Sequence, residues 1–149
     1  MSSDDLETIV RELADKEAIR ELTHRYVHHV WNQDPVATVA LFAADGEMDT
    51  SLEAPIRGRP ALLEAFTRLI EGADLQPYVH NHMIEIDGDR ATGTCYIDLR
   101  SVQDGKSMMG SGYYTDRYVR IEGEWKFRSR ALTLRHFVPL DVGWAQAED

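Results

Sequence analysis

Two histidines lie two residues apart in the segment Gln76–Arg100, which has the pattern of two β-strands joined by a tight turn. His80 and His82 are in step with Ile84 and Ile86, and side chains alternate along a strand, so all four should share one face. An imidazole on a pocket face can act as a general acid or base. The alternative is a pair of core histidines whose nitrogens bond to backbone groups or to a nearby carboxylate.

Other polar side chains could complete an acid–base site around these histidines. Asp98 and Arg100 share one face of the second strand and could orient an imidazole or hold an anionic group, unless they form a surface ion pair. His28, near the end of a long helical segment, either projects toward whatever that helix covers or lies at its edge. Tyr113 and Tyr114 fall on opposite faces of their strand, so one of them, which we assign as Tyr114, is a candidate pocket donor. His136, which alternates with apolar residues, is either a pocket or a core residue.

A metal site is a weaker interpretation of the same histidines. His80, His82 and His28 could supply three ligands together with a carboxylate, but this spacing has low specificity. The sequence also contains no glycine-rich phosphate loop. We therefore predict neither a metal nor an organic cofactor.

The composition limits the partners and the location. The 149 residues fit one domain, residues 1–149, with a core over about 6–140 and a loose tail. A formal net charge of −10 repels nucleic-acid phosphates and anionic membranes, so we predict neither as a partner. A single cysteine, Cys95, excludes an internal disulfide framework, and the acidic start is unlike a signal peptide, so we expect a cytoplasmic location.

Three helical segments precede the strands. Apolar residues at three- and four-residue steps, from Ile9 to Val30, predict a first helix over residues 4–31 that Ser3 or Asp4 could cap. A second helix begins at Asp34-Pro35 with the sequence VATVALFA, a strand follows over residues 47–51, and a third helix runs from Pro60 to Gly72. Turns at residues 103–106 and 122–124 separate the hairpin from two longer strands. This order predicts an α+β fold with helices packed on one face of a curved antiparallel sheet.

The same order of elements resembles the SnoaL-like branch of the nuclear-transport-factor-2-like superfamily. The most specific motifs are RGRPALLEAF, IDGDRATG and the run from Gly112 to Phe127, within a resemblance that covers about residues 6–140. It implies a cone-shaped α+β barrel, in which a strongly curved antiparallel sheet wraps the long helix and two shorter helices. It also implies a pocket at the open end of the cone and a homodimer or small homo-oligomer.

Enzymes of this family, such as scytalone dehydratase, a bile-acid 7α-dehydratase and hexachlorocyclohexane dehydrochlorinase, share a metal-free elimination. A histidine oriented by an aspartate removes a proton from carbon while a leaving group departs. By the resemblance, Trp31 occupies the position of that aspartate and Pro77 the position of that histidine, so the standard pair is not retained. Tyr26 matches a tyrosine of the bile-acid enzyme, and Trp31 would give the pocket a flat, apolar floor.

The predicted function is therefore a cofactor-independent lyase or isomerase with a rearranged site. It would catalyse dehydration, double-bond isomerisation or retro-aldol cleavage of a small apolar, aromatic or polycyclic molecule. His80 or His82 would be the base, Asp98 or His28 its orienting partner, and Tyr26 the hydrogen-bond donor. The substrate would contact the remaining candidates, Trp31, Arg100, Tyr114 and His136. The alternative is a non-catalytic small-molecule-binding or accessory subunit, which the loss of the standard pair favours.

Overall fold

The computed structural model describes residues 1–145, which form three α-helices and one six-stranded sheet. The helices are α1 (Ser3–Trp31), α2 (Pro35–Ala40) and α3 (Arg59–Gly72). The strands are β1 (Phe42–Asp49), β2 (Ile56–Arg57), β3 (Gln76–Asp87), β4 (Arg90–Gln103), β5 (Lys106–Ile121) and β6 (Glu124–Pro139). The predicted α+β class is confirmed. No helix in this part of the chain is long and apolar enough to cross a membrane.

The sheet has the strand order β2-β1-β6-β5-β4-β3 and does not close, so β2 and β3 are its edges. Neighbouring strands are antiparallel except for β1 and β6, which pair in parallel from Phe42 opposite Phe127 to Asp49 opposite Ala131. The predicted antiparallel arrangement therefore holds for the other four strand pairs but not for this one. The core lies between the inner face of the sheet and the second half of α1, where Ile19 is fully buried.

The second helix ends earlier, and the first strand begins earlier, than the sequence predicts. The sequence predicts helix through residue 43, but α2 ends at Ala40 and β1 already starts at Phe42. The Phe42 ring is fully buried against the rings of Tyr26, Phe66 and Phe127. Tertiary packing therefore overrides the local helical preference of this segment.

Helix α1 is confirmed, but its apolar residues do not form one buried face. Ser2, rather than the predicted Ser3 or Asp4, caps the helix, because its hydroxyl accepts a hydrogen bond from the Asp5 amide at 3.1 Å. Every residue from 3 to 14 is exposed, and burial begins only in the second half of the helix. The first three turns therefore extend beyond the sheet.

Two β-bulges determine which side chains face the interior near the open end of the fold. In β3, Val79 pairs with Ile97 but His82 pairs with Cys95, so His80 and Asn81 together oppose a single residue. In β6, Arg135 is the extra residue, because Leu134 pairs with Gly112 while His136 pairs with Ser111. A side chain at Gly112 would place its Cβ 2.0 Å from the carbonyl oxygen of Thr133, so only glycine fits beside this bulge.

Candidate active site

A cavity of about 510 Å³ lies between α1, α3 and the inner face of the sheet. Its walls are mostly apolar, with Leu75, Leu99 and Leu132 among the residues that line it. Tyr26 and Tyr114 line the same cavity, and no carboxylate side chain of residues 1–145 does so. An apolar cavity of this size with a few polar groups suits a small, largely apolar molecule.

The two tyrosines come from different elements, Tyr26 from α1 and Tyr114 from β5. Their ring centroids are 5.9 Å apart in an edge-to-face arrangement. Burial raises the pKa of the Tyr26 hydroxyl well above its ordinary value, and burial also raises the pKa of Tyr114 against the opposing effect of the Arg130 charge. Both hydroxyls therefore stay protonated at neutral pH and can donate hydrogen bonds to a bound molecule.

Arg130 lies behind these tyrosines and has no exposed side-chain surface. Its Cζ atom lies 3.7 Å from the ring centroid of Tyr114 and 4.5 Å from that of Tyr26. Its Nε and Nη2 atoms donate hydrogen bonds to the two carboxylate oxygens of Asp116 at 2.8 and 2.9 Å. Burial disfavours the guanidinium charge, but the attraction of Asp116 more than offsets this, so the pKa of Arg130 is raised above its ordinary value.

Sequence reasoning missed this ion pair, although a signal for it exists. Asp116 alternates with Tyr114 and Tyr118 along β5, so a carboxylate on the inner face could have been predicted. Arg130 was harder to predict as a buried residue. Simple alternation from Trp125 and Phe127 would place Arg130 on the outer face, but the extra residue at Arg128 shifts the pattern by one and turns Arg130 inward.

His82 joins the same network from β3. Its Nε2 atom lies 2.8 Å from the Tyr118 hydroxyl, which donates its own proton to Asp116 at 2.8 Å. The imidazole must therefore donate from Nε2, which leaves Nδ1 unprotonated, buried and without a partner. Burial lowers the pKa of His82 to about 4, because the charged imidazolium would lose its hydration in the interior. His82 lies outside the lining of the cavity and belongs to a structural network.

This network predicts an acid sensitivity that arises from His82. Between its ordinary pKa of 6.5 and its folded-state value of about 4, the unfolded chain binds a proton at His82 that the folded chain does not. The free energy of unfolding should therefore fall as the pH is lowered through this window. His82→Gln keeps a donor for Tyr118 and should weaken this dependence, as measured by urea unfolding at about pH 7 and about pH 5. An identical loss of stability in both proteins would contradict the assignment.

His80 lies on the outer face of the sheet, so the prediction that it shares the inner face with His82 was wrong. The bulge in β3 reverses the alternation between the two histidines. His80 Nε2 lies 2.6 Å from Asp98 Oδ2, and Ser111 donates a hydrogen bond to Asp98 Oδ1 at 2.8 Å. The hydrogen bond from Ser111 and, second, the contact with His80 lower the pKa of Asp98. Asp98 thus contacts His80, but the pair is half exposed and lies outside the lining of the cavity.

The two positions of the family's catalytic pair contact each other. The indole nitrogen of Trp31 donates a hydrogen bond to the carbonyl oxygen of Pro77 at 2.6 Å. The ring of Trp31 also meets Tyr78 edge to face, and Trp31 is 42% exposed, so it covers the start of β3 and forms no floor of the cavity. The resemblance places an acid–base pair at positions 31 and 77, but here these two residues are joined by a hydrogen bond that has no acid–base function.

The remaining predicted side chains also lie apart from the cavity. His28 is exposed on α1 and packs against the His29 ring. Arg100 stacks on Tyr78 on the outer face, with its Cζ atom 5.1 Å from the ring centroid. Neither residue contributes to the lining of the cavity. In the part of the chain that the structure describes, no three His, Cys, Asp or Glu side chains form a group that could hold a metal ion.

His136 is the one imidazole among residues 1–145 that lines the cavity. Residues 135–137, on either side of the bulge at Arg135, all contribute to the lining. The Nε2 atom of His136 is buried and has no hydrogen-bond partner. Trp144 stacks on the imidazole with a centroid distance of 4.9 Å and an interplanar angle of 20°. The predicted loose tail is therefore packed against His136 through Trp144, and residues 146–149 lie outside the described residues.

Solved structures share this fold. A protein of unknown function from Mycobacterium tuberculosis is 26% identical, with a TM-score of 0.80 over 92% of this chain and 84% of that chain. A type 3 hexachlorocyclohexane dehydrochlorinase from Novosphingobium barchaimii is 21% identical, with a TM-score of 0.80 over 94% of this chain and 99% of the enzyme. An NTF2-like protein with a cystatin-like fold from Novosphingobium aromaticivorans is 22% identical, with a TM-score of 0.74 over 90% of each chain.

The family assignment rests on the match of the sequence itself. No curated protein matches this chain. The SnoaL-like domain family matches residues 11–131, which include the second half of α1, the tyrosine pair and Arg130. This match spans most of the chain and agrees with the motifs and the fold described above. The chain therefore belongs to the SnoaL-like domain family.

Proposed function

We propose that this chain is a cofactor-independent lyase or isomerase that acts on a small apolar molecule with a carbonyl oxygen. The observation that carries the proposal is that His136, Tyr26 and Tyr114 line one largely apolar cavity. An imidazole can accept a proton from carbon, and phenolic hydroxyls can stabilise the negative charge that then develops on oxygen. Similarity to a dehydrochlorinase fold is consistent with elimination chemistry.

In the proposed reaction, His136 removes a proton from the carbon next to the carbonyl group. The electron pair of the broken C–H bond forms a carbon–carbon double bond, and the carbonyl oxygen becomes an enolate that Tyr26 and Tyr114 hold by hydrogen bonds. In a dehydration, the enolate collapses, the β-hydroxyl group leaves with the proton returned by His136, and water is released. In an isomerisation, the same proton returns to a different carbon.

Arg130 would support the two donors without contacting the substrate. Its guanidinium stacks on the rings of Tyr26 and Tyr114 and fixes their positions. Its positive charge, in a site shielded from water, favours negative charge on an oxygen bound to the two hydroxyls. The proposed base is thus His136, whereas the sequence favoured His80 or His82.

A non-catalytic binding role is the second candidate, and two observations favour it. Trp31 and Pro77 occupy the positions of the family's catalytic pair, and the Trp31 indole donates a hydrogen bond to the Pro77 carbonyl oxygen. In addition, no carboxylate among residues 1–145 lines the cavity to orient His136. A protein that only binds an apolar ligand needs neither group.

The two candidates differ in what happens to a β-hydroxy ketone. We would test alicyclic and aromatic β-hydroxy ketones, since their dehydration gives conjugated enones that absorb in the ultraviolet, and measure binding in parallel by calorimetry. Turnover that disappears in the double variant Tyr26→Phe/Tyr114→Phe supports the enzyme, because the oxygen of the enolate then loses both donors. Binding without turnover for every compound that binds supports the binding protein instead.

A further inference from the structure

The first three turns of α1 carry apolar side chains that nothing in the described chain covers. Leu6, Ile9, Val10 and Leu13 are between 41% and 61% exposed, and all residues from 3 to 14 are exposed. An isolated helix of about 12 residues is only marginally stable in water. An exposed apolar stripe on such a helix indicates an interaction surface.

This stripe faces away from the core of its own protein. An α-helix has 3.6 residues per turn, which fixes the direction of each side chain around the helix axis. The mean direction of the four exposed side chains differs by about 130° from the mean direction of the buried residues of α1, which include Ile19 and Tyr26. It therefore cannot pack against the sheet of the same chain without a rotation of α1. No other element of residues 1–145 covers the stripe, so a second molecule is the candidate partner.

The order of the apolar residues identifies the partner. The segment from Leu6 to Leu13 reads LETIVREL, with leucine at both ends and Ile9-Val10 at the centre, so its apolar positions read the same in both directions. A surface that matches itself after a two-fold rotation is the requirement for a symmetric contact between two copies. We propose that a second copy of this chain covers the stripe through antiparallel pairing of two α1 helices.

In this arrangement the two-fold axis passes between Ile9 and Val10. Leu6 packs against Leu13 of the partner subunit, and Ile9 packs against Val10 of the partner subunit. The antiparallel direction also brings the acidic first turn, with Asp5, toward Lys16 of the partner subunit, since both lie on the same flank of the stripe. A parallel pair would instead place the two acidic turns side by side. This surface is distinct from the outer face of the sheet.

The contact is small, so we expect a weak dimer that depends on concentration. One three-turn helix pair buries less than the roughly 800 Å² per partner of a standard interface. Sedimentation equilibrium of the full chain should show a mass that rises toward two copies with concentration. Leu13→Glu should raise the midpoint concentration by about tenfold or more, because it places a charge in the apolar contact.

Thr8→Glu provides the matched control, since Thr8 is exposed on the same helix but lies off the stripe. It should leave the midpoint unchanged, and circular dichroism should show that both variants keep the fold. A chain that stays monomeric at every concentration would overturn the proposal. A dimer that Leu13→Glu does not weaken would also overturn it, because another surface, such as the sheet, would then form the contact.

Disulfide trapping tests the antiparallel direction. A mixture of Leu6→Cys chains and Leu13→Cys chains should form a cross-linked dimer under mild oxidation, while each variant alone should not. Identical positions in an antiparallel pair lie about 10 Å apart along the axis, beyond the roughly 7 Å between α-carbons that a disulfide can span. Cross-linking of each variant alone would indicate parallel helices and contradict the proposal. The natural chain controls for Cys95, which is buried.

Discussion

Asp116→Asn should lower the free energy of unfolding by about 3–5 kcal/mol, because it leaves the Arg130 guanidinium buried without a counter-charge. Both side chains of this pair have no exposed surface. The same change weakens the acceptor for the Tyr118 hydroxyl, which donates to Asp116. Urea unfolding of the two proteins at neutral pH measures the difference.

An exposed ion pair supplies the control for this experiment. Arg128 and Asp45 approach to 2.6 Å at the surface, where solvent and salt screen the attraction. Asp45→Asn should therefore change the stability little. Equal effects of the two substitutions would show that burial does not set the strength of the inner pair.

A double variant separates the ion pair from the packing around it. Asp116→Leu/Arg130→Met removes both charges and leaves apolar side chains among the aromatic rings. It should be less destabilised than Asp116→Asn, because no unpaired charge stays buried. If the double variant were less stable than Asp116→Asn, the stacking of Arg130 on Tyr26 and Tyr114 would contribute more to the free energy of unfolding than the burial of its unpaired charge subtracts.

On the proposed function, His136→Gln should lower kcat by about 10²–10⁴-fold, the range typical for the loss of a general base. Glutamine keeps the polarity and approximate size of the side chain but cannot accept a proton at neutral pH. Binding of the same β-hydroxy ketone, measured by calorimetry, should change much less than turnover. The measurement is the initial rate of enone formation.

His80→Gln is the matched control, since His80 is also an imidazole but lies on the outer face with Asp98. It should leave both kcat and KM unchanged. If His136→Gln retained full turnover while His80→Gln abolished it, the active site would lie outside the cavity. A loss of binding in His136→Gln, without any turnover in the natural chain, would instead support the binding protein.

The elements of this fold follow from local patterns, whereas the placement of the histidines does not. The helices and the β3–β4 hairpin were predicted from glycine and proline residues at the ends of elements and from apolar residues spaced three or four positions apart. The relative orientation of His80 and His82 depends on one extra residue in β3, and the segment VHNHM contains no glycine or other local sign of a bulge. Alternation alone therefore placed one of the two histidines on the wrong face.

The candidate site could be predicted only in part for a related reason. Tyr26, Tyr114 and His136 were candidates from the sequence, and all three line the cavity. Arg130 was missed because a buried arginine looks like a surface residue until its partner is known. Asp116 lies 14 positions away, and only the pairing of β5 with β6 brings the two together.

The parallel contact between β1 and β6 sets the order in which the chain can fold. Phe42 pairs with Phe127, so the inner neighbour of β1 in the sheet is β6, the last of the six described strands. During synthesis, β1 and the β2 strand beside it have no place in the sheet until β6 has left the ribosome and paired with β5. Contacts across such sequence distances close slowly. The first half of the chain is therefore the part that stays longest without its partners in the sheet, and its apolar side chains are exposed to aggregation during that time.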